Sequence, residues 1–266
     1  MTPVNKLYNS FQFIKYVFTP SYVKRLLEKN GSLYNSHTGE ICYIIGNGPS
    51  LKQMYDLSVL KDRFVITVNT IMRSEVFDKV NSNFHVLMDP VLFNGNASKE
   101  DVNSFSKLDG RDILIPYNYF KSAKEIWPKS NLWCCYNSYI PLEGSMHADF
   151  TKPIYSFNNV LHWALLWAMY MGFSNIVILG ADMTGFMEPY YNKNNMSTHV
   201  YDYSVKERTQ TVLNSNEWYL KAYGQTLEFF RYLHDIAMKK QIDIVNATPM
   251  SFLDVFPMVN FNETLK

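Results

Sequence analysis

The sequence predicts an α/β fold in which a mostly parallel sheet of about seven strands is flanked by helices. Two observations support this prediction. From residue 41 onward, short apolar runs rich in Ile, Val and Leu alternate with segments of helical periodicity, as in βαβ units. Two helical segments, 158–172 and 216–240, are long enough to cover a sheet. The pattern is typical of a Rossmann-like domain.

Each predicted strand is a mostly apolar run bounded by polar or turn residues. Several runs are apolar at consecutive positions, which is typical of parallel strands that are buried on both faces. The predicted strands are 41–46, 63–69, 84–88, 112–116, 131–136, 175–180 and 242–246.

The two long helices differ in their apolar patterns. Residues 158–172, NNVLHWALLWAMYMG, are apolar on nearly every face and end at a glycine, which predicts a central helix buried on all sides. Residues 216–240 carry one core-facing stripe at spacings of three and four: Tyr223, Leu227, Phe230, Leu233 and Ala237. We expect the histidines of these helices, His162 and His234, to be structural rather than ligands.

Length, charge and cysteine content narrow the classes of function. At 266 residues the chain can form one large domain with a full core. The formal net charge of +1 argues against a nucleic-acid partner, because such proteins usually carry a strongly basic face. The three cysteines, Cys42, Cys134 and Cys135, form neither a disulfide framework nor a CxxC metal pair, so we expect a reducing cytoplasm.

We expect three parts along the chain: an aromatic and basic extension at 1–40, a Rossmann-like domain at 41–256 and a tail at 257–266. No segment offers the roughly 20 apolar residues of a membrane-spanning helix, and the start lacks a signal-peptide pattern, so a soluble protein is expected. Residues 1–30 interleave aromatic side chains with lysine and arginine. We expect the aromatics to pack against the domain or a second subunit; contact with a membrane surface is the alternative.

A tight turn, IIGNGPSL at residues 44–51, follows the first predicted strand. On a structural interpretation, the glycines allow unusual backbone angles and the Pro-Ser pair starts a helix. On a functional interpretation, small residues let a phosphate or ribose approach the backbone at a helix N-terminus. The motif is neither GxGxxG nor GxxxxGK[ST], so it identifies neither a dinucleotide site nor a P-loop.

Polar residues follow most of the predicted strands, among them Asn47, Asn69, Asp89, Asn118, Asn137 and Asp182. In an open parallel sheet, ligands bind at the carboxyl ends of the strands. Amides offer donors and acceptors without charge, which suits ribose hydroxyls and the edge of a base. Capping and turn formation are the alternative role for each residue alone. For Asn47, Asn69 and Asp89 together we predict a nucleotide site.

These motifs resemble those of the glycosyltransferase family 42 sialyltransferases. IIGNGPSL, VNT and MDPVLF are similar to the family's GNGPSL, CN and NPGLF, and MGFSNIVILGADM is similar to its LGYKEIYLSGIDF. The resemblance covers about residues 41–256 but is strong only at these motifs. GADM followed by STH also resembles the motility-associated-factor and MptE-like proteins, relatives with the same nucleotide-binding fold. The resemblance implies a GT-A-like variant of the Rossmann fold.

The resemblance implies roles for the residues after the first three strands. Asn47 would meet the nucleotide near its phosphate or ribose, Asn69 its cytidine, and Asp89 the ribose or the donor sugar. Asp89 stands where the family has an asparagine, and an acid there would repel a nearby phosphate or carboxylate, which leaves the donor open. The turn residues assigned with Asn47 to nucleotide binding are Gly46, Gly48 and Ser50.

Later residues match the family's pattern more loosely. Asn158, or its neighbour Ser156, stands where the family has a turn that contacts the nucleotide before the buried helix. Gly180 and Asp182 match the glycine and the acid of the GxD strand, and Tyr190 stands where a lid tyrosine would hold the leaving phosphate. The lid itself is predicted near 183–215, because a polar stretch this long inside a compact domain is usually a lid or binding loop, or is disordered.

Inverting sugar transfer requires a general base for the acceptor hydroxyl. His199, in the sequence Ser197-Thr198-His199, is the only histidine of the predicted lid and is the candidate. An exposed loop histidine is the alternative interpretation. Asp182 and Asp202 are the next candidates for the base.

The leaving group requires charge compensation from a metal or from hydrogen-bond donors. The chain has no DxD triplet, and the lid is rich in tyrosine, lysine and arginine. We therefore predict a metal-independent reaction with no cofactor besides the nucleotide-sugar donor. The residues that could stabilise the leaving phosphate by hydrogen bonds or positive charge are Tyr190, Tyr191, Tyr201, Tyr203, Lys193, Lys206 and Arg208. The alternative is that they belong to a solvated loop or an oligomer contact.

The sequence thus predicts an inverting glycosyltransferase that moves a sialic-acid-like sugar from a CMP-activated donor to a bacterial surface glycan, as in lipopolysaccharide or capsule synthesis. The expected location is the cytoplasm, at the inner face of the membrane if residues 1–30 contact lipid. The sequence is also compatible with a homo-oligomer. Two alternatives stay open. One is an MptE-like diphosphokinase that uses ATP and Mg²⁺ on a pterin alcohol, with Asp89 and Asp182 as metal ligands. The other is a non-catalytic nucleotide-binding assembly protein.

Overall fold

The computed structural model describes residues 3–53, 56–202 and 214–265, and its centre is one eight-stranded sheet. All neighbouring strands pair in parallel. The strands are β1 (Ile41–Ile45), β2 (Phe64–Val68), β3 (Phe84–Val86), β4 (Asp112–Pro116), β5 (Asn131–Tyr139), β6 (Pro153–Tyr155), β7 (Asn175–Leu179) and β8 (Asp243–Asn246). The predicted Rossmann-like α/β fold is confirmed, and each predicted strand is present. The eighth strand, β6, has only three residues and begins with a proline, so it carries little pattern.

The strand order is β6-β5-β4-β3-β2-β1-β7-β8. The chain moves outward from β1 to β6 and then returns to the other side of β1 with β7. Ile45 at the end of β1 pairs with Thr67 of β2 on one side and with Leu179 of β7 on the other. The carboxyl ends of β1 and β7 therefore flank the point where strand order reverses, which is where open α/β sheets bind ligands.

The helices pack on both faces of the sheet. They are α1 (Pro3–Val17), α2 (Ser21–Glu28), α3 (Glu75–Val80), α4 (Lys99–Ser104), α5 (Phe120–Ile126), α6 (Val160–Met171), α7 (Glu188–Lys193) and α8 (Asn216–Lys240). Two apolar clusters fill the space, one on each face. A short 3₁₀ helix, Pro49–Lys52, follows β1.

Helix α6 is the central buried helix that its sequence predicts. The Asn159 side chain accepts a hydrogen bond from the Leu161 N–H at its start, and Gly172 ends the helix with φ of 91°, a left-handed conformation that favours glycine. Every side chain from Leu161 to Met171 is buried. His162 lies among them, and its Nε2 donates to the Thr226 carbonyl of α8 at 3.0 Å. This contact agrees with the structural role expected for His162.

Helix α8 presents its predicted stripe to the core. Phe230, Leu233 and Ala237 are buried, while Tyr223 and Leu227 are partly buried at its first half. The side chain of Ser215 accepts from the Trp218 N–H and caps the start of the helix.

Helix α1 has no buried residue. Asn9 attaches it to the end of β5, because its side-chain amide donates to the Ile140 carbonyl at 3.0 Å and accepts from the Ile140 N–H at 2.8 Å. Tyr16 contacts Tyr136 edge to face, with ring centroids 5.4 Å apart. The expected packing of the aromatics against the domain therefore holds for Tyr16, whereas Phe11, Phe13 and Phe18 remain exposed.

The predicted lid is described from residue 183 to 202 and again at 214 and 215. Its first part contains α7 and an irregular segment at 194–202. Residues 203–213, including the candidate donors Tyr203, Lys206 and Arg208, lie outside the described residues. None of the helices formed by the described residues combines the length and apolarity needed to cross a bilayer.

Candidate functional site

The turn after β1 packs tightly against the turn after β7. The Gly46 N–H donates to the Leu179 carbonyl at 2.8 Å, and the Gly48 N–H donates to the Gly180 carbonyl at 2.9 Å. A Cβ atom on Gly46 would lie 2.5 Å from the Gly180 oxygen, and one on Gly48 would lie 1.7 Å from Oδ2 of Asp182. Both glycines are therefore required for the close approach of the two turns. Neither has the unusual backbone angles that the structural interpretation expects, since neither φ is positive, whereas Pro49 does begin a short helix.

Asp182 joins these turns through Ser50. Its Oδ1 accepts from the Ser50 N–H at 2.9 Å and its Oδ2 accepts from the Ser50 hydroxyl at 2.7 Å. Burial raises the pKa of the Asp182 carboxyl above its usual value, and the two bonds from Ser50 oppose this shift. Asp182 thus occupies the N-terminus of the Pro49–Lys52 helix, where an external anion was expected, and Ser50 binds this carboxylate.

A polar cavity of about 230 Å³ lies at the reversal point beside these turns. The structure brings seven of the predicted residues together around it: Asn47, Gly48, Asn69, Asn158, Gly180, Asp182 and His199. Among the described residues that line it there is no lysine or arginine. The cavity therefore offers mainly neutral donors and acceptors, which suit a ribose and a base edge.

Two buried polar atoms of this lining have no hydrogen-bond partner among the described residues: Oδ1 of Asn47 and Oγ1 of Thr184. A buried polar atom without a partner costs on the order of 1–3 kcal/mol. A ligand with hydroxyl or amino groups would satisfy both atoms. Both atoms are thus available to a polar ligand in the cavity.

Asn69 is held in an uncommon conformation at the end of β2. Its φ is 40°, and its Oδ1 accepts from the Met88 N–H at 3.0 Å. Its carbonyl accepts from Nε2 of the buried His85 at 2.8 Å, while Nδ1 of His85 contacts the Thr67 hydroxyl at 2.8 Å. Burial lowers the pKa of His85 to about 3, so the ring is neutral and its Nε2 carries the hydrogen. The amide NH₂ of Asn69 is the part of its side chain left for a ligand.

His199 reaches the cavity from the predicted lid. The Val200 N–H donates to the Asn47 carbonyl at 2.6 Å, which ties this segment to the turn after β1. The Thr198 hydroxyl donates to the Glu188 carboxylate, and Nδ1 of His199 lies 3.2 Å from the same hydroxyl oxygen. Because the hydroxyl has one hydrogen and gives it to Glu188, Nδ1 donates to Thr198 and Nε2 keeps the lone pair. Burial and the charge of Arg73 lower the pKa of His199 to about 4.

Further contacts fix residues 199–202 over the sheet edge. The Tyr201 hydroxyl lies 2.5 Å from the Thr70 hydroxyl, its ring stacks on His199, and the Arg73 guanidinium lies 4.2 Å from the ring centroid. Asp202 forms an exposed ion pair with Lys52 at 2.8 Å. Asp202, the other candidate base, therefore lies at the surface, whereas His199 lines the cavity.

Four predicted residues lie outside the lining of the cavity: Gly46 and Ser50, which contact the turn after β7, and Asp89 and Tyr190. Asp89 is exposed and accepts from the Val91 N–H at 3.0 Å, which caps a short 3₁₀ helix after β3. Tyr190 on α7 is 57% exposed. The sequence did not indicate that Thr184, Glu188, Asn159 and Tyr223 belong to the site. Asn159 directly follows the predicted residue Asn158, which is a signal that could have found it. Tyr223 was assigned only to the core-facing stripe of α8.

Within the part of the chain that the structure describes, no three or more His, Cys, Asp or Glu side chains are grouped so that they could hold a metal ion. The metal-independent reaction stays a prediction.

Comparisons with known proteins give one family. A family model described as 6-hydroxymethylpterin diphosphokinase MptE-like matches residues 9–185. No curated protein matches the chain. A solved structure of the sialyltransferase CstII from Campylobacter jejuni with cytidine-5'-monophosphate is 18% identical, covers 85% of this chain and 86% of its own, and has a TM-score of 0.44. A structure of CST-II with a trisaccharide acceptor and CMP is 14% identical, covers 83% and 86%, and has a TM-score of 0.45.

Proposed function

Because the chain belongs to the MptE-like family of 6-hydroxymethylpterin diphosphokinase-like proteins, we propose that it binds a nucleotide between the ends of β1 and β7 and transfers a group from it. The transferred group is a sialic-acid-like sugar, and the donor is the CMP-activated form of that sugar. The acceptor is a bacterial surface glycan. Transfer proceeds with inversion and without a metal. The observation that carries this proposal is the amide-lined cavity, without a basic side chain among its described lining residues, with His199 at its wall.

The chemistry of the lining favours a donor with one phosphate. Asn47, Asn69 and Asn158 supply amides, and the described lining contains one carboxylate, Asp182, and no basic side chain. A triphosphate requires cations or Mg²⁺ around its charges. A nucleoside monophosphate carries far less charge, so neutral donors suffice to bind it. The GNGPSL and VNT motifs, which resemble family 42, support the same donor class, whereas GADM followed by STH also resembles the MptE-like proteins.

His199 is the proposed general base. As the acceptor oxygen attacks the anomeric carbon, the bond from that carbon to the phosphate oxygen breaks and CMP leaves with the electron pair. Nε2 of His199 takes the proton of the acceptor hydroxyl. Glu188 and Thr198 hold the ring in the tautomer that this step needs, an arrangement of base and orienting group that recurs at active sites.

The family description favours a second candidate, a diphosphokinase that transfers diphosphate from ATP to a pterin alcohol with Mg²⁺. Asp89 and Asp182 would then be the metal ligands. In this structure Asp89 caps a turn at the surface and Asp182 binds Ser50, so each carboxylate already has its own partner.

A thermal-shift panel separates the candidates. The chain is melted with CMP, CDP, UMP, UDP, GDP and ATP, each with and without Mg²⁺, because selective binding raises the melting temperature by mass action. Stabilisation by CMP without Mg²⁺ is expected and leads to transfer assays with CMP-sugars. Stabilisation by ATP only with Mg²⁺ would replace the proposal with the diphosphokinase. Binding of CMP with neither transfer nor hydrolysis of any CMP-sugar would indicate a non-catalytic nucleotide-binding protein.

We further propose that α1 places the enzyme on an anionic membrane surface, near a lipid-linked acceptor. The exposed fractions of Leu7, Phe11 and Phe18 are 73%, 54% and 82%. Residues 1–27 contain Lys6, Lys15, Lys24 and Arg25 and no acidic residue. Exposed apolar side chains beside lysines are typical of helices that lie on anionic lipid.

Sedimentation with vesicles tests this location. Phe11→Ser with Phe18→Ser is expected to reduce binding to phosphatidylglycerol vesicles by about tenfold, because two apolar side chains no longer enter the interface. The control is Met250→Ser, which changes an apolar side chain that is 89% exposed on another part of the chain. Equal binding by the double variant and the control would reject the proposed lipid contact.

A further inference from the structure

A second cavity, of about 640 Å³, adjoins the candidate nucleotide cavity on the side of α8. The two share six lining residues: Asn158, Asn159, Gly185, Thr198, His199 and Tyr223. They therefore form an inner and an outer part of one cleft, with His199 at the boundary between them. A base at this boundary can reach a hydroxyl of a molecule in the outer cavity while the donor fills the inner one.

Tyr223 packs closely against Gly185 at the boundary. A Cβ atom on Gly185 would lie 1.5 Å from the Tyr223 hydroxyl oxygen, so the glycine is needed for this contact. Burial raises the pKa of Tyr223 to about 12, with the Glu188 charge acting in the same direction. The hydroxyl therefore keeps its hydrogen at neutral pH and remains a donor.

The outer wall carries an aromatic pair from the first turns of α8, in which Trp218 is exposed and Tyr219 is half-buried. Trp218 is 52% exposed and meets the ring of Tyr219 at a centroid distance of 5.2 Å and an interplanar angle of 89°. The other tryptophans of the chain, Trp127, Trp133, Trp163 and Trp167, are all buried. An exposed tryptophan that lines a cavity next to a candidate base is a typical feature of a ligand site.

The ring geometry and the surrounding polar groups indicate the class of ligand. The perpendicular rings of Trp218 and Tyr219 form a corner rather than a pair of parallel faces. Glu188, Lys221 and Gln225 line the same cavity and add charged and amide groups beside the rings. A saturated sugar ring has one apolar face for Trp218 and a rim of hydroxyls for the polar groups.

We propose that the outer cavity is the acceptor site and that it binds a carbohydrate whose apolar ring face stacks on Trp218. This inference rests on the proposed transferase function and adds where the acceptor lies and which residue selects it. The acceptor hydroxyl then faces His199 at the boundary between the cavities.

The position of Trp218 provides a direct binding assay. Because the other tryptophans are buried, iodide quenching of the intrinsic fluorescence reports mainly on Trp218. With CMP present, lactose, maltose and diacetylchitobiose are titrated as probes. At least one disaccharide is expected to reduce this quenching and so to protect Trp218. In a transfer assay, Trp218→Ala should raise the KM for the acceptor by about tenfold or more while CMP stabilisation is unchanged.

Leu220→Ala is the matched control, since Leu220 lies on the same turn of α8, is 61% exposed and does not line the cavity. An equal effect of Trp218→Ala and Leu220→Ala on KM would overturn the inference. Protection by a pterin alcohol with no protection by any disaccharide would also overturn it.

The thermal-shift panel distinguishes this failure from failure of the proposed function. If CMP stabilises the chain but no disaccharide protects Trp218, the acceptor inference alone is wrong. If a disaccharide protects Trp218 although CMP gives no shift, the acceptor site stands and the donor assignment is wrong.

Discussion

The carboxylate of Asp182 accepts two hydrogen bonds from Ser50, one from its backbone N–H at 2.9 Å and one from its hydroxyl at 2.7 Å. Ser50 belongs to the first turn of the helix that follows β1, the position at which nucleotide-binding folds often bind phosphate. Here an internal anion takes that position. The polar groups around the adjoining cavity include the amides of Asn47, Asn69 and Asn158 and the hydroxyl of Thr184.

Gly48→Ala tests the close approach of the two turns. The new Cβ would overlap Oδ2 of Asp182 and lie 2.6 Å from the Gly180 carbonyl oxygen, so one turn must move. We expect a loss of about 2 kcal/mol or more in unfolding free energy, measured by urea denaturation, together with loss of nucleotide stabilisation. The control is Gly224→Ala in α8, where a Cβ meets nothing within 4 Å. Gly224→Ala should stabilise by about 0.5–1 kcal/mol. Equal stability of the two variants would contradict the packing described.

His199→Gln tests the candidate base. Turnover should fall by about 10²–10⁴-fold, while the thermal shift with nucleotide should change little. Since the pKa of His199 is about 4, kcat/KM should rise with pH only up to that region and be level from pH 5 to 7. Thr198→Val, which removes the hydroxyl beside Nδ1, should lower kcat by a smaller factor. An acidic limb centred near pH 6.5, or full activity in His199→Gln, would exclude His199 as the base in this environment.

Because two histidines are buried, we predict that the folded chain loses stability in mild acid. Burial lowers the pKa of His85 and of His162 to about 3 in the folded chain, against about 6.5 in an unfolded chain. The unfolded chain therefore takes up protons first, and stability that is complete above pH 6.5 is lost as the pH falls toward 3. Each residue contributes a loss on the order of 1 kcal/mol per pH unit below 6.5.

The measurement is the urea midpoint of the parent chain and of His162→Gln at pH 7 and at pH 5.5. Glutamine can still donate to the Thr226 carbonyl but does not titrate in this range. The variant should show a smaller drop between the two pH values than the parent. An equal drop would mean that His162 is not a source of the pH dependence.

The cysteines should be inert in the folded chain. Cys42, Cys134 and Cys135 are buried, and burial raises the pKa of Cys134 to about 12 and those of the other two thiols well above their usual value. Because the thiolate is the reactive form, an aromatic disulfide reagent at pH 8 should label none of them. In urea it should label all three. Rapid labelling of one thiol in the native chain would show that its surroundings open readily.

The strands and the central helix could be predicted because their signals are local. Apolar runs specify β1 to β5, β7 and β8. Helix α6 is apolar on nearly every face, so it has no polar face to expose to solvent. The short strand β6 has too few residues for a pattern, and its place beside β5 depends on pairing. The sequence did not decide what the aromatic residues of α1 contact: Tyr16 packs against the domain, whereas Phe11 and Phe13 are exposed, as contact with a second subunit or a membrane surface would require.

The site was predicted in part, for a physical reason. The residues after parallel strands meet at one edge, and the resemblance to family 42 selected Asn47, Asn69 and Asp182 among them; all three line the cavity. Which of them bind a ligand and which bind each other depends on tertiary contacts. The partnership of Ser50 with Asp182 spans 132 positions, and Asp89 caps its own turn two residues on; nothing local in the sequence distinguishes these cases.

The reversal of strand order also fixes when the site can form. The turn after β1 is complete by residue 51. Its partners Gly180 and Asp182 are reached only after six further strands, β2 to β7, and helix α6. Contacts across such a separation form late, because much of the chain must be ordered before they do. A ribosome-bound chain that ends near residue 155 would contain the whole GNGPSL motif and six of the eight strands, yet no nucleotide cavity. Nucleotide binding would therefore report completion of the fold during synthesis.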